Sequence, residues 1–299
     1  MKHRQLLLPI LAGLLVIPTA ASADSEDTIR SGMSQVNAQL EASGADYRLG
    51  VVEAYTGADE QGITVFFNNR GNKQLDHDFV PGDPRRPWSG PPGPGDDITW
   101  TTDTTQGDAG PGLGPTQLAI SNSMATWQNT ACSNLPLNFL AIPGIDMGVV
   151  EFIFSGGASG SPFIFADVTQ AGFGTIVDLF FLPSVIAVTF TFIFIDGGGN
   201  PTDIDANGKA DAAFREVYYT SNFVWGINAN VDVETVALHE NGHSLSQGHF
   251  GRLIRTDKNG KFHFNPKAVM NAGYTGVQQS LAGTDNGGHC SIWDDWPNS

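Results

Sequence analysis

The chain has 299 residues, 40% of them hydrophobic and 10% aromatic, enough apolar mass for a packed core, so wholesale disorder is excluded. Charged residues make up only 15%, and 15 Lys+Arg against 31 Asp+Glu leave a formal net charge of −16. So acidic a chain has no footprint for phosphate backbones or anionic lipid, and neither nucleic acid nor a membrane surface is expected as a partner.

Lys2 and Arg4 precede the apolar run Leu6 to Ile17, and Ala21-Ser22-Ala23 places small residues at a cleavage site. This is the pattern of a secretory signal peptide over residues 1–23, too short to span a bilayer, with cleavage expected after Ala23. Residues 24–96 read as an N-terminal accessory or pro-segment. Ser25 to Ser43 has helical spacing in Ile29, Met33, Val36 and Leu40, and Tyr47 to Tyr55 and Ile63 to Asn68 read as strands. Pro81 to Gly95 is so rich in proline and glycine that a linker is expected there. Within it, Arg85-Arg86 reads either as a processing site or as solvated charge.

Residues 97–299 read as one α+β domain. Strands are expected at Ile98 to Thr102, Val149 to Phe154, Ala166 to Phe173, Val185 to Ile195 and Phe214 to Tyr219, and a helix at Pro115 to Asn129. Leu179 to Ile195 is apolar, but Phe190, Phe192 and Phe194 alternate with Thr189, Thr191 and Ile193, the period of a strand rather than of a membrane helix. A second helix starts near Asn230 or Asp232, either of which can cap it. The last fifty residues are glycine-rich and irregular. Export makes one long-range disulfide between Cys132 and Cys290 the simplest pairing, with two free buried thiols as the alternative.

The second helix carries the chemistry. His239 and His243 are four apart, which sets both imidazoles on one face, with Glu240 between them. Val231, Leu238 and Leu245 mark the face to be buried, and Gly242 removes a side chain where another element can approach. If the helix stops near Ser246, His249 swings back as a third ligand. Three protein ligands leave a position open for water, the arrangement of a catalytic zinc rather than a structural one. His77, His263 and His289 lack ligand spacing and are expected to be structural.

The run from His239 to His249 resembles the metzincin zinc signature H-E-x-x-H-x-x-G-x-x-H, departing from it at Ser246, where the family has a turn glycine. Ala268-Val269-Met270-Asn271 resembles the family's methionine turn beneath the metal, with Tyr274 four residues on as a candidate transition-state contact. Val236, Ala237, His239, Glu240, Gly242, His243 and Leu245 are similar to the matrixin branch; so are Ala166-Asp167-Val168 and a closing helix over Leu281 to Trp293 with Asp285 and Gly288. The resemblance covers about Ile98 to Trp293. It implies a twisted mixed sheet, an active-site helix and a small irregular C-terminal subdomain. It also implies a secreted zinc endopeptidase with Glu240 as general base and a protein or peptide substrate held along an edge strand, for which Val185 to Ile195 is the candidate. No cysteine lies between residues 24 and 131, so a cysteine-switch propeptide is missing.

A second cation, calcium, is expected at Asp203, Asp205, Asn207 and Asp211, which resemble the start of an EF-hand loop, although Phe214 stands where its last carboxylate belongs. The alternative there is an Asx-rich turn. Two rival readings of the whole stay open: a zinc hydrolase of another amide bond, and a non-catalytic calcium-binding or adhesive module on the same fold.

Overall fold

The structure is a computed structural model that describes residues 25–57, 63–66, 76–86, 95–107, 110–174, 183–255 and 262–297. The expected signal peptide lies outside the described residues. The fold is α+β, built on one mixed sheet. Its strands are β1 (Tyr47–Thr56), β2 (Ile63–Phe66), β3 (His77–Asp78), β4 (Ile98–Thr102), β5 (Leu137–Phe139), β6 (Val168–Phe173), β7 (Val185–Phe194) and β8 (Ala210–Tyr219). They lie in the order β2-β1-β7-β8-β6-β4-β5, with the short β3 beside the start of β8. β8, β6, β4 and β5 run parallel, while β7 is antiparallel to both β8 and β1.

Each face of the sheet carries helices. On one face α1 (Ser25–Ala42) buries Ile29, Met33, Val36 and Leu40, the positions its periodicity marks, against Leu49, Val52, Phe190 and Phe192. Asn37 in α1 bonds the backbone N–H and C=O of Leu49, which fixes helix to strand. On the other face pack α2 (Leu113–Gln128), α4 (Val233–Ser244) and α5 (Gly283–Trp293) around Trp127, Val236, Leu238 and Trp293. The alternation in β7 sorts accordingly: its phenylalanines join the α1 face, and Thr189 and Thr191 turn to α4. Among the described residues no helix is long and apolar enough to cross a membrane.

Four expectations are corrected. First, the proline-rich segment does not divide the fold. β1 pairs with β7 along its whole length, so chain from both sides of that segment builds a single sheet. Second, Arg85 and Arg86 are not merely solvated charges, because both are ion-paired. Arg86 is buried and forks onto Asp167 at 2.8 and 2.9 Å, and Arg85 pairs with Asp83 and Asp211. Third, Val149–Phe154 is a helical turn, α3. Its β-branched and aromatic residues favour a strand, but the Glu216 carboxylate accepts the N–H groups of Val149 and Val150, and tertiary bonds override propensity. Fourth, β7 is interior: β1 and β2 extend the sheet beyond it.

Cys132 and Cys290 form a disulfide that ties the end of α2 to α5 across 158 residues. Closing so long a loop restrains the unfolded chain. Replacing both cysteines with alanine is expected to cost about 3 kcal/mol, read as a lower urea midpoint with a steeper slope, because the unfolded chain is no longer restrained.

Candidate metal centre

Asp232 caps α4: its carboxylate accepts the N–H of Thr235 at 2.9 Å. The helix then carries His239, Glu240 and His243 inward, all fully buried. It ends in a tight C-terminal turn, with Gln247 N–H bonded to Gly242 O and Ser246 in the left-handed region at φ 68°. That turn returns His249 to the other two rings. Nonglycine residues pay about 1 kcal/mol or more for this conformation. Here the buried guanidinium of Arg215 on β8 grips the turn, donating to Ser246 Oγ at 2.7 Å and to Ser244 O. The missing glycine is thus replaced by a serine with an arginine partner.

The three Nε2 atoms converge at 3.0, 3.2 and 3.3 Å from one another. Tetrahedral coordination at metal–nitrogen distances of about 2.0–2.1 Å puts ligand nitrogens about 3.3 Å apart. The opposite ring atoms settle the tautomers of His239 and His243. His239 Nδ1 faces Val269 O at 2.8 Å, His243 Nδ1 faces Gln247 O at 2.6 Å, and His249 Nδ1 meets Thr64 Oγ1 at 3.0 Å. A carbonyl only accepts, so His239 and His243 carry their protons on Nδ1 and aim bare Nε2 lone pairs at each other. Without a cation that arrangement is repulsive. Burial lowers the pKa of His239 and His249, the two neighbouring rings adding to it at His239, which suits neutral imidazole ligands. At His243 the charges of Glu53 and Glu240 outweigh burial and raise it. His239, His243 and His249 can hold a metal ion.

Glu240 lies beside this cluster. Thr189 of β7 donates to its Oε2 at 2.5 Å, while Oε1 is buried without a protein partner. Burial lifts its carboxyl to about 7. Beneath the rings, the Met270 thioether fills the space that a Cβ at Gly242 would take, so that glycine is required by close approach. The turn bearing Met270 is held by Asp285 at the start of α5, whose carboxylate accepts the N–H groups of Val269 at 2.9 Å, Met270 at 3.1 Å and Ala282 at 2.7 Å.

Other expected site residues fall elsewhere. The Tyr274 hydroxyl donates to Asn230 O and accepts from Asp232 N at the opposite end of α4, so it is not set for the expected transition-state contact. Asp203, Asp205 and Asp211 bring oxygens within 4.8 Å of one another, but Arg85 and Thr202 bond Asp211, and the Asn207 amide donates to Asp78 and Asp205. Arg85 meets Asp211 and Lys209 meets Asp78, which offsets part of the negative charge; Asp203, Asp205 and Asp211 remain a group that could hold a cation. His289 is structural, bonded to Ser133 at 2.8 Å under Trp127.

Residues that spacing did not mark also reach the site. Tyr55 stacks on His239 with ring centroids 3.8 Å apart. Glu53 Oε2 lies 3.0 Å from His243 Nδ1, off the axis of the N–H that Gln247 O receives. Thr64, Thr189 and Arg215 complete the set. The available signal was a charge inside an apolar strand: Glu53 in Val51-Val52-Glu53-Ala54-Tyr55, and Arg215 in Ala213-Phe214-Arg215. No protein-family model matches the chain, and no curated protein matches it.

Proposed function

We propose that the chain is a secreted zinc endopeptidase of metzincin type. The observation that carries this is the convergence of three Nε2 atoms beside a buried carboxylate with one free oxygen. All-nitrogen donors at tetrahedral spacing favour zinc over calcium or magnesium, which take oxygen. Zinc at this position supplies a Lewis acid and lowers the pKa of a bound water.

The protein's part follows from its own groups. Thr189 fixes the Glu240 carboxylate through Oε2, which leaves Oε1 to take a proton from the attacking water and to hand it to the departing amine nitrogen. The Nδ1 bonds to Val269 and Gln247 hold the ligand rings in one tautomer and orientation. The disulfide agrees with a secreted enzyme.

Incubated with zinc, the purified chain is expected to carry one zinc ion and to cleave an unfolded protein such as casein. A zinc chelator should abolish cleavage and lower the melting temperature by several degrees, and added zinc should restore both. Cleavage that persists in metal-free protein would sink the proposal.

A further inference from the structure

We propose that the strap formed by the end of β1 and β2, residues 53–56 and 63–66, is an autoinhibitory cover lying in the groove meant for an extended peptide; this rests on the peptidase reading above. The strap is seated from both sides. Glu53 and Thr56 pair with Thr189 and Val185 of β7, while Thr56 also pairs with Gly273 just past the Met270 turn. There Thr56 O accepts the N–H of Tyr274 at 2.7 Å, and Thr56 Oγ1 reaches Ala272 O. One stretch of main chain therefore bridges β7 and the 272–274 segment, directly over the metal cluster.

Its side chains contact every ligand: Glu53 at His243, Tyr55 stacked on His239, Thr64 at His249. Beneath it, Glu240 and His239 have no exposed surface. A hydrolase must admit both a peptide and water to such a carboxylate, and the strap holds the backbone pairing a peptide strand would use.

β1 changes character along its length, which allows the strap to leave without unfolding the sheet. Tyr47, Leu49 and Val52 are buried in the α1 core, and the Asn37–Leu49 bonds anchor them. Glu53 and Thr56 are polar and face the site, and the pairing register slips between Tyr55 and Thr56. Lifting residues 53–56 and 63–66 opens the groove while α1 and the first half of β1 stay packed. The cover has no cysteine, so it masks the centre by occupying the groove rather than by a thiolate bond to the metal.

The test uses the full chain loaded with cobalt, whose visible spectrum reports ligand exchange, and a peptide hydroxamate as the probe. Ala54 and Val188 lie directly opposite across β1 and β7, so the pair Ala54→Cys/Val188→Cys can lock the strap in place. The locked protein is expected to take up the hydroxamate at least ten-fold more slowly than wild type, and reductant should restore the rate, with reduced wild type as the control for the native disulfide. In wild type the rate should saturate with probe concentration, because opening limits it. Tyr55→Ala, which loosens the strap without a crosslink, should speed uptake at least three-fold. Equal rates in locked and wild-type protein would overturn the cover. Failure of cobalt to bind at all would instead overturn the metal-centre reading.

Discussion

Glu240→Gln is expected to reduce peptide cleavage by about 10²–10⁴-fold while leaving zinc content unchanged. The amide keeps the shape of the side chain and can still meet Thr189, but it cannot take a proton from water. That loss corresponds to about 3–5 kcal/mol of barrier. Stability should hold or rise, because the wild-type carboxylate is buried with Oε1 unpartnered and its pKa is lifted to about 7 by that burial. A neutral amide removes the penalty of burying charge. Metal analysis, melting temperature and initial cleavage rate measured on one preparation separate the outcomes. Full activity in the variant would remove Glu240 from the chemistry. Equal and negligible cleavage by variant and wild type, with zinc bound and the hydroxamate admitted in both, would favour the non-catalytic module.

The same residues show how far the sequence can be read. The zinc helix was legible because its information is local: four-residue spacing sets two imidazoles on one face, Asp232 caps the start, and Gly242 anticipates the Met270 thioether. The α1 stripe and the β7 alternation were legible for the same reason. What stayed hidden depends on partners distant in sequence. Val149–Phe154 reads as a strand until Glu216 accepts its first N–H groups. Arg86 reads as a solvated or cleavable charge until Asp167 is folded against it. Nothing in Val185 to Phe194 reveals that an earlier strand covers its edge, because pairing register is a property of two segments. Glu53 and Arg215 were the local hints, charges amid apolar neighbours that only a polar site could accept.

Arg215→Met tests whether the turn that delivers His249 depends on β8. The guanidinium is fully buried, bonds Ser244 O, Ser246 Oγ and Thr191 Oγ1, and rests over the Phe79 ring at 4.5 Å. Burial lowers its pKa to about 10, so it stays charged at neutral pH. Methionine keeps much of the apolar stem and removes all three bonds. Charge-assisted bonds are worth about 1.5–3 kcal/mol each, and the variant also escapes the cost of burying a cation, so a net loss of about 4 kcal/mol in metal-free protein is expected in urea unfolding. Loosening the turn frees His249, and zinc affinity, measured by competition with a chelator, should fall about 10–100-fold. Adding Ser246→Gly to that variant should regain affinity several-fold, since glycine takes φ 68° without strain, yet return only about 1 kcal/mol of stability because Ser244 O still lacks its donor. A simple loss of core packing would lower stability in both variants and leave their affinities alike. The recovery by glycine therefore distinguishes a turn held by arginine from an arginine that merely fills space.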